Sequence, residues 1–270
     1  MIGRVVDVPQ LTWSSVIFSD PKGGKIVLWP HLPCVRMPNM LRPRESWDGL
    51  ALLASSNDLA EWRIEEEQDK ESPGIHRDSA LTSGTAFGRL VSDLVELEID
   101  GPNIPDPEQI RLIKHAENAR GGMPIYSIEP NLDDEIWEDY LTRSADEQVR
   151  LGNLLATLRT SKRWKTTRRA AISQIEKNNY VDVELGAASA SSATWWLEEE
   201  RWNSDELNCE RNLRFASRLR GALRDLCDSR VDDGGAQDRT LLVPIHQAWL
   251  PSMSEAISSW PDVELVVTEE

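Results

Sequence analysis

The sequence predicts an α/β fold: a mostly parallel sheet flanked by helices, with an N-terminal β-hairpin and a large helical middle region. Three observations support this class: a hairpin pattern in residues 16–29, a strand–helix–strand pattern in residues 94–128, and helical periodicity through most of residues 132–230. With 270 residues, of which 40% are apolar, the chain can bury a sizeable core. We therefore expect a single α/β domain over residues 1–270.

The hairpin is predicted from two apolar runs joined by turn residues. Val16–Phe18 and Lys25–Trp29 flank the segment SDPKGG, which holds the Asp, Pro and Gly that tight turns require. The second run continues to Pro30 and His31. Further along the chain, residues 64–85 are highly charged and are interrupted by Pro and Gly. This composition predicts an exposed polar loop.

The strand–helix–strand pattern begins with Leu94–Ile99, which has the character of a strand. Asp106 is placed to cap a helix and Pro107 to occupy its first turn, and the helix should run to about Arg120. Pro124–Ile128 then has the character of a second strand. Two strands joined by such a helix should be parallel, with a right-handed crossover.

The remaining elements are mainly helical. Ser144 and Glu147 match a capping box that would open a helix, a further helix is expected from about Thr194, and a long one from Ser204 to about Ser229. A Gly-rich break at 232–235 should end this helical region. The chain is then expected to finish with three short elements: a strand over 241–245, a helix over 252–258 and a strand over 263–267.

Composition limits the classes of partner. The net charge of -16 repels a phosphate backbone, so nucleic acid is not an expected partner. The basic cluster Lys162–Arg169 is interpreted as a solvated, acid-paired helix face. The eleven tryptophans are interpreted as core residues and not as a stacking platform.

Membrane and export signals are not expected from this sequence. It lacks a run of 18 apolar residues, and its first residues have neither a basic nor an apolar region typical of a signal peptide. Cys34, Cys209 and Cys227 are odd in number and far apart, which indicates free thiols in a reducing compartment. These observations predict a cytoplasmic protein without membrane contact.

Candidate site residues follow the ends of the predicted strands. His31 and His246 each end a strand, and acidic residues follow the others: Glu98 and Asp100 after one strand, Glu129 after the next. Ligands of open parallel sheets bind at the carboxyl ends of the strands, so we expect His31 and His246 to point into one cleft that also holds an acidic residue. A histidine at a strand end can equally be a structural, hydrogen-bonded residue.

Arg211 provides an independent indication of a site. On the predicted long helix it falls within the apolar arc that Leu207, Phe215 and Leu219 define. A guanidinium turned toward the core must meet an anion. The anion is either a structural carboxylate, such as Glu98 or Glu129, or a substrate carboxylate or oxyanion.

The order of these segments resembles the TraB/PrgY/GumN/Tiki family. The matching stretches are, in chain order: TWSSVIFSDPKGGKIVLWPHLP, LVELEID, GMPIYSIEPNLDDEIWEDYL, CERNLRFASRL and RTLLVPIHQAWLP. LAEWRIEEE, residues 59–67, is a rival for the acidic strand of this family. Leu28 and Val243 stand where the family places glycines three residues before its histidines, and Glu129 replaces its usual Asp. Bulk at the glycine positions is expected to narrow the approach to the histidines.

The resemblance implies a hydrolase acting on a small molecule or a peptide. In one mechanism that the family suggests, His31 and His246 hold a divalent metal, together with a carboxylate, and the metal activates water. In another, metal-free mechanism, one histidine is the general base and Arg211 stabilises the anion. The alternative is a non-catalytic interaction or regulatory protein of the same fold whose site has decayed.

Overall fold

The computed structural model describes residues 7–157, 159–228 and 239–266. A five-stranded, mostly parallel sheet lies at the centre of these residues and has helices on both faces, which confirms the predicted α/β class. Within these ranges, every helix is too short or too polar to cross a membrane.

The sheet has the strand order β1-β2-β5-β3-β4. Its strands are β1 (Val16–Ser19), β2 (Lys25–His31), β3 (Gly49–Leu52), β4 (Ile125–Ser127) and β5 (Thr240–His246). β1 and β2 pair antiparallel, which confirms the predicted hairpin, and the other pairs are parallel. The ends of β2, β5, β3 and β4 therefore lie together, and we call this side of the sheet the carboxyl edge.

Side chains alternate between the two faces of the sheet, as the pleat of a strand requires. On one face, Leu28, Val243 and their neighbours pack against α9 (Asp205–Asp228) and α10 (Leu250–Ser258). The opposite face packs against α1 (Ser56–Glu71), through Leu59, and against four further helices. They are α3 (Ala86–Val95), α4 (Pro107–Asn118), α7 (Thr160–Ile172) and α8 (Val183–Glu200).

The prediction of a strand over Leu94–Ile99 is wrong. Leu94 belongs to α3, where Leu90, Val91 and Leu94 are buried with helical spacing, and the chain turns after Val95. β3 is the strand that pairs parallel with β4 instead. Its run GLAL is short and wholly buried, so it lacks the alternation that marks a half-exposed strand.

The prediction of a polar loop over residues 64–85 is also wrong. These residues lie mostly in α1 (Ser56–Glu71) and α2 (Ile75–Thr82). α1 begins with a capping box between Ser55 and Asp58, and its Lys70 pairs with Glu66 and Glu67. The charges that suggested a loop lie on the surface of a helix that is stabilised by caps and side-chain pairs. The rival acidic segment, residues 59–67, is part of α1 and is not a strand.

Residues 132–230 contain five helices among the described residues, namely α5 (Glu135–Gln148), α6 (Leu151–Thr157) and α7 to α9. The predicted capping box is wrong, since Ser144 lies inside α5 and Glu147 accepts a hydrogen bond from the backbone N–H of Ser204. The helix expected from Thr194 begins eleven residues earlier, at Val183. The long helix is confirmed as α9. The break at 232–235 lies outside the described residues.

Two of the five basic residues in Lys162–Arg169 of α7 are paired with acids, in part as interpreted from the sequence. Arg163 contacts Glu198 at 2.7 Å, and Arg168 lies 3.8 Å from Asp93. These cations are therefore engaged within the fold, which leaves less free positive charge on α7 for a nucleic-acid backbone.

The predicted helix near the end of the chain is confirmed as α10, but the strand over 263–267 is not found in its described part. Residues 261–266 pass along α9 without joining the sheet, and Val267 lies outside the described residues. Glu264 forms ion pairs with Arg214 and Arg218 at 2.9 and 3.0 Å. The segment is held by side chains of α9 and by the backbone hydrogen bond from Glu264 N–H to the carbonyl of Ser217, and not by a strand ladder.

Candidate functional site

Two histidines end adjacent parallel strands at the carboxyl edge. His31 of β2 and His246 of β5 are register partners, and their ring centroids lie 5.3 Å apart. Residues in register on neighbouring strands project from the same face, so the topology brings two residues far apart in sequence side by side. The expected convergence of the two rings is observed, but His31 is buried and does not open onto the expected cleft.

Aromatic rings enclose this histidine pair. The Trp29 ring stacks on His31 with centroids 5.7 Å apart. Trp195 and Trp196 of α8 meet His246 edge-on, at 5.2 and 5.5 Å. His31 is buried, and its two ring nitrogens have no hydrogen-bond partner among the described residues. The pair therefore sits in an apolar, aromatic environment.

Asp106 is the acidic residue nearest to the histidines. It caps α4, as predicted: its Oδ1 accepts hydrogen bonds from the backbone N–H groups of Glu108 and Gln109 at 3.0 and 3.2 Å. Its Oδ2 accepts from the backbone N–H of Cys34 at 3.0 Å and lies 3.8 Å from Nδ1 of His31. Both carboxylate oxygens are thus already engaged by backbone donors.

The burial of these groups changes their protonation. Desolvation lowers the pKa of His31 to about 4, although the Glu108 carboxylate and the Leu32 backbone oppose this. Desolvation, together with the neighbouring His31, lowers the pKa of His246 to about 3. Burial raises the pKa of Asp106 to about 6. Both imidazoles are therefore neutral at neutral pH.

The residues at this edge do not fit a divalent metal. A protein metal site normally uses at least three side-chain ligands, and among the described residues no group of three His, Cys, Asp or Glu side chains could hold an ion. The nearest carboxylate, Asp106, uses both oxygens to accept backbone hydrogen bonds. We derive no chemical step through a metal for this chain.

Arg211 lies in a second cluster, on α9. Its side chain is only 15% exposed, and its Nη2 contacts Glu200 Oε1 at 2.8 Å. The guanidinium also lies over the rings of Trp249 and Trp196, 4.9 and 5.6 Å from their centroids. The prediction that Arg211 is largely buried and paired with a carboxylate is confirmed, but the carboxylate is Glu200, not Glu98 or Glu129.

Glu129 follows β4 and belongs to the same cluster. Its backbone N–H donates to the carbonyl of Ala54 at 3.1 Å, which fixes it beside the end of β3. Burial, reinforced by the negative charge of Asp58, raises the pKa of Glu129 to about 7, against the opposing effects of Trp137 and Arg211. Glu129 is therefore close to half-ionised at neutral pH and lies within the electrostatic reach of a fixed guanidinium.

The two clusters meet at one side chain. The Trp196 ring contacts both His246 and Arg211. The predicted site residues His31, His246, Glu129 and Arg211 are thus gathered at the carboxyl edge, in two halves that share Trp196.

Glu98 and Asp100 are not part of this gathering. With Leu94–Ile99 folded as the end of a helix and a turn, they line a separate cleft of about 910 Å³ beside α4. Neither histidine lines that cleft. Their assignment beside the histidines depended on the strand prediction that the structure corrects.

Leu28 and Val243 do not narrow the approach to the histidines. Each stands three residues before a histidine, and three positions along a strand reverse the face on which a side chain lies. Both pack in the core under α9 and α10, whereas His31 and His246 project from the opposite face, where Trp29 stacks on His31. The expected obstruction is therefore wrong.

Sequence reasoning missed three contributors to the site. The sequence identifies Asp106 only as a helix cap, although its carboxylate also lies 3.8 Å from Nδ1 of His31. Glu200 and Trp196 lie on α8, and the sequence of this helix does not indicate that they contact Arg211 and His246. Contacts between distant helices leave no local pattern in a sequence.

Comparison with known proteins gives no assignment: no protein-family model, no curated protein and no solved structure matches this chain.

Proposed function

We propose that this chain is a hydrolase of the TraB/Tiki-like kind that cleaves an acyl bond of a small molecule or peptide. The observation that carries the proposal is Glu129 at the carboxyl edge, whose pKa burial raises to about 7 and which lies within electrostatic reach of the Arg211 guanidinium. A carboxylate with a pKa near the working pH is well suited to both accept and return a proton. Perturbed carboxyl groups of this kind concentrate at functional sites.

In the proposed reaction, ionised Glu129 accepts a proton from a water molecule while the water oxygen attacks the acyl carbon. The carbonyl oxygen becomes an oxyanion, which the positive charge of Arg211 stabilises. When the tetrahedral intermediate collapses, protonated Glu129 returns the proton to the leaving alcohol or amine. The products are a carboxylic acid and the released group.

The assignment of the base differs from the one that the resemblance suggests. A general base works best when its pKa is near the working pH, and the pKa values of His31 and His246 are lowered to about 4 and 3. The neutral imidazoles are weaker bases than Glu129. We assign the two histidines a positioning role: they pack against the surrounding tryptophan rings and so keep the strand ends at the carboxyl edge in place.

Hydrolysis of nitrophenyl esters and quenched fluorescent peptides tests the proposal. The parent chain should turn over at least one of these substrates, with a rate that rises with pH through about 7 as Glu129 ionises. Glu129→Gln should lower the rate by a factor of about 10²–10⁴, which is the usual contribution of a general base. Glu135→Gln, an exposed change on α5, is the matched control and should retain the parent rate.

Dialysis against a chelator separates the metal-dependent mechanism that the resemblance implies from the Glu129-based one, because the Glu129-based mechanism keeps its activity. If the parent and Glu129→Gln turn over substrate at equal rates, the assignment of Glu129 as the general base is overturned.

The second candidate is a non-catalytic interaction protein of the same fold. It is favoured by one observation: Glu200 already neutralises Arg211, at 2.8 Å, so a substrate anion would have to compete with it. If a folded, monodisperse parent turns over none of the substrates, this candidate is favoured.

The cytoplasmic location that the cysteines predict also remains part of the proposal. All three cysteines are free thiols.

A further inference from the structure

The cleft beside α4 is separate from the two halves of the carboxyl edge. It has a volume of about 910 Å³, and neither histidine nor Arg211 lines it. Its walls are the segments 35–39 and 98–105, one side of α4, and the side chains of Tyr180 and Leu185. A space of this size is larger than a single amino acid needs and falls within the range of ligand pockets.

The floor of the cleft has an excess of positive charge. Glu108 is fully buried and accepts from the Nη2 of Arg42 and the Nε of Arg111, both at 2.7 Å. Two guanidinium groups therefore share one carboxylate, whose Oε1 also accepts from the backbone N–H of Met37. The Nη2 of Arg111 has no hydrogen-bond partner among the described residues. One positive charge at this floor remains to be balanced.

Most of the acidic residues around the cleft are already engaged. Glu66 pairs with Lys114, and Asp100 lies 3.3 Å from Arg36. Asp182 caps α8 through the backbone N–H of Leu185. By contrast, the exposed carboxylate of Glu98 makes no hydrogen bond or ion pair with any residue in the described ranges. The wall therefore offers one free negative charge opposite a positively charged floor.

We propose that this cleft binds the carboxyl-terminal end of a peptide whose last residue is basic. The terminal carboxylate would contact the guanidinium of Arg111, whose Nη2 is unpartnered among the described residues, because a guanidinium can hold a carboxylate in a bidentate manner. Arg42 already donates to Glu108 and Asn39, and it adds its positive charge to the floor. The cationic side chain would pair with Glu98, and its methylene groups would lie against Ile104 and Ile110. Polyanions such as phosphate esters are disfavoured by the five acidic side chains that line the cleft.

This inference concerns binding and does not rest on the proposed hydrolysis. The probe is the peptide acetyl-Ala-Ala-Lys with a free carboxylate, compared with its carboxamide and with acetyl-Ala-Ala-Leu, and binding is measured by isothermal titration calorimetry. The free acid should bind at least tenfold more tightly than the carboxamide. Arg111→Met should abolish that preference, whereas Arg63→Met, on the exposed surface of α1 and outside the cleft, should preserve it.

Glu98→Gln provides the second arm. It should weaken binding of the Lys peptide toward that of the Leu peptide, and should leave the Leu peptide unchanged. If Arg111→Met fails to fold, Arg111→Lys keeps the charge, loses the fork and should still reduce the preference for the free acid. Failure of the parent to bind the free acid, equal affinity for acid and carboxamide, or an equal loss from Arg63→Met and Arg111→Met would overturn the inference.

Discussion

Arg211 shows how a single charge can be kept in a setting that is mostly closed to water. Its guanidinium pairs with Glu200 at 2.8 Å, donates to Asn212 at 3.0 Å and lies over two tryptophan rings. Both members of the ion pair are less than one fifth exposed. Removing one member leaves the other charge without its partner, and that costs more than the pair itself contributes.

We therefore expect Arg211→Ala to lower the free energy of unfolding by about 3 kcal/mol, since breaking a buried pair leaves Glu200 uncompensated. Chemical denaturation at neutral pH measures this change. Glu200→Gln in the Arg211→Ala background should recover part of the loss, because the orphaned charge is then removed. A single variant as stable as the parent would contradict the role of the pair.

At the scale of elements, α9 organises much of the molecule. One side of it packs against the sheet, and its arginines bind the chain's last described segment. Gly221 lies where that segment crosses the helix, and a methyl group at this position would overlap the carbonyl oxygen of Glu264. Here the need for glycine comes from close approach of two backbones and not from an unusual φ.

Gly221→Ala should therefore detach or displace residues 261–266, although alanine has the higher intrinsic helix propensity. We expect faster amide hydrogen exchange in that segment and a loss of stability of about 1–3 kcal/mol, the usual cost of overpacking. Gly186→Ala in α8 is a matched control, because a methyl group there would meet no atom within 4 Å. The prediction fails if the two variants show the same exchange in residues 261–266.

At the scale of the whole molecule, the desolvated rings of His31 and His246 link stability to pH. The pKa values of His31 and His246 are lowered to about 4 and 3 from an ordinary 6.5, so the unfolded chain binds their protons more readily than the native chain. Their contribution to stability is fully present above pH 6.5 and is lost as the pH falls toward 4 and 3.

A His246→Gln variant isolates one of these contributions from those of the carboxyl groups. Between pH 7 and pH 4, the parent should lose on the order of 3 kcal/mol relative to this variant, because only the parent carries the imidazole that must stay neutral. Urea unfolding at a series of pH values measures the difference. Parallel stability curves for the two chains would show that His246 titrates normally.

The sequence alone determined the class of this protein and several of its parts. The hairpin, the Asp106 cap, the long helix and the strand ending at His246 each have a local signature: a turn composition, a capping residue, a 3.6-residue period or a short apolar run. His31, His246, Glu129 and Arg211 were also identified locally, as polar residues at strand ends or within an apolar arc.

Only the tertiary structure decided how these residues combine. Glu98 and Asp100 belong to a different cleft because Leu94–Ile99 packs as the end of a helix and a turn, and β3 takes the expected place beside β4. Arg211 pairs with Glu200, and His31 lies 3.8 Å from Asp106; both contacts join elements that are distant in sequence. Local patterns record which face a side chain occupies, whereas its partner and its pKa depend on burial and on charges that only packing brings near.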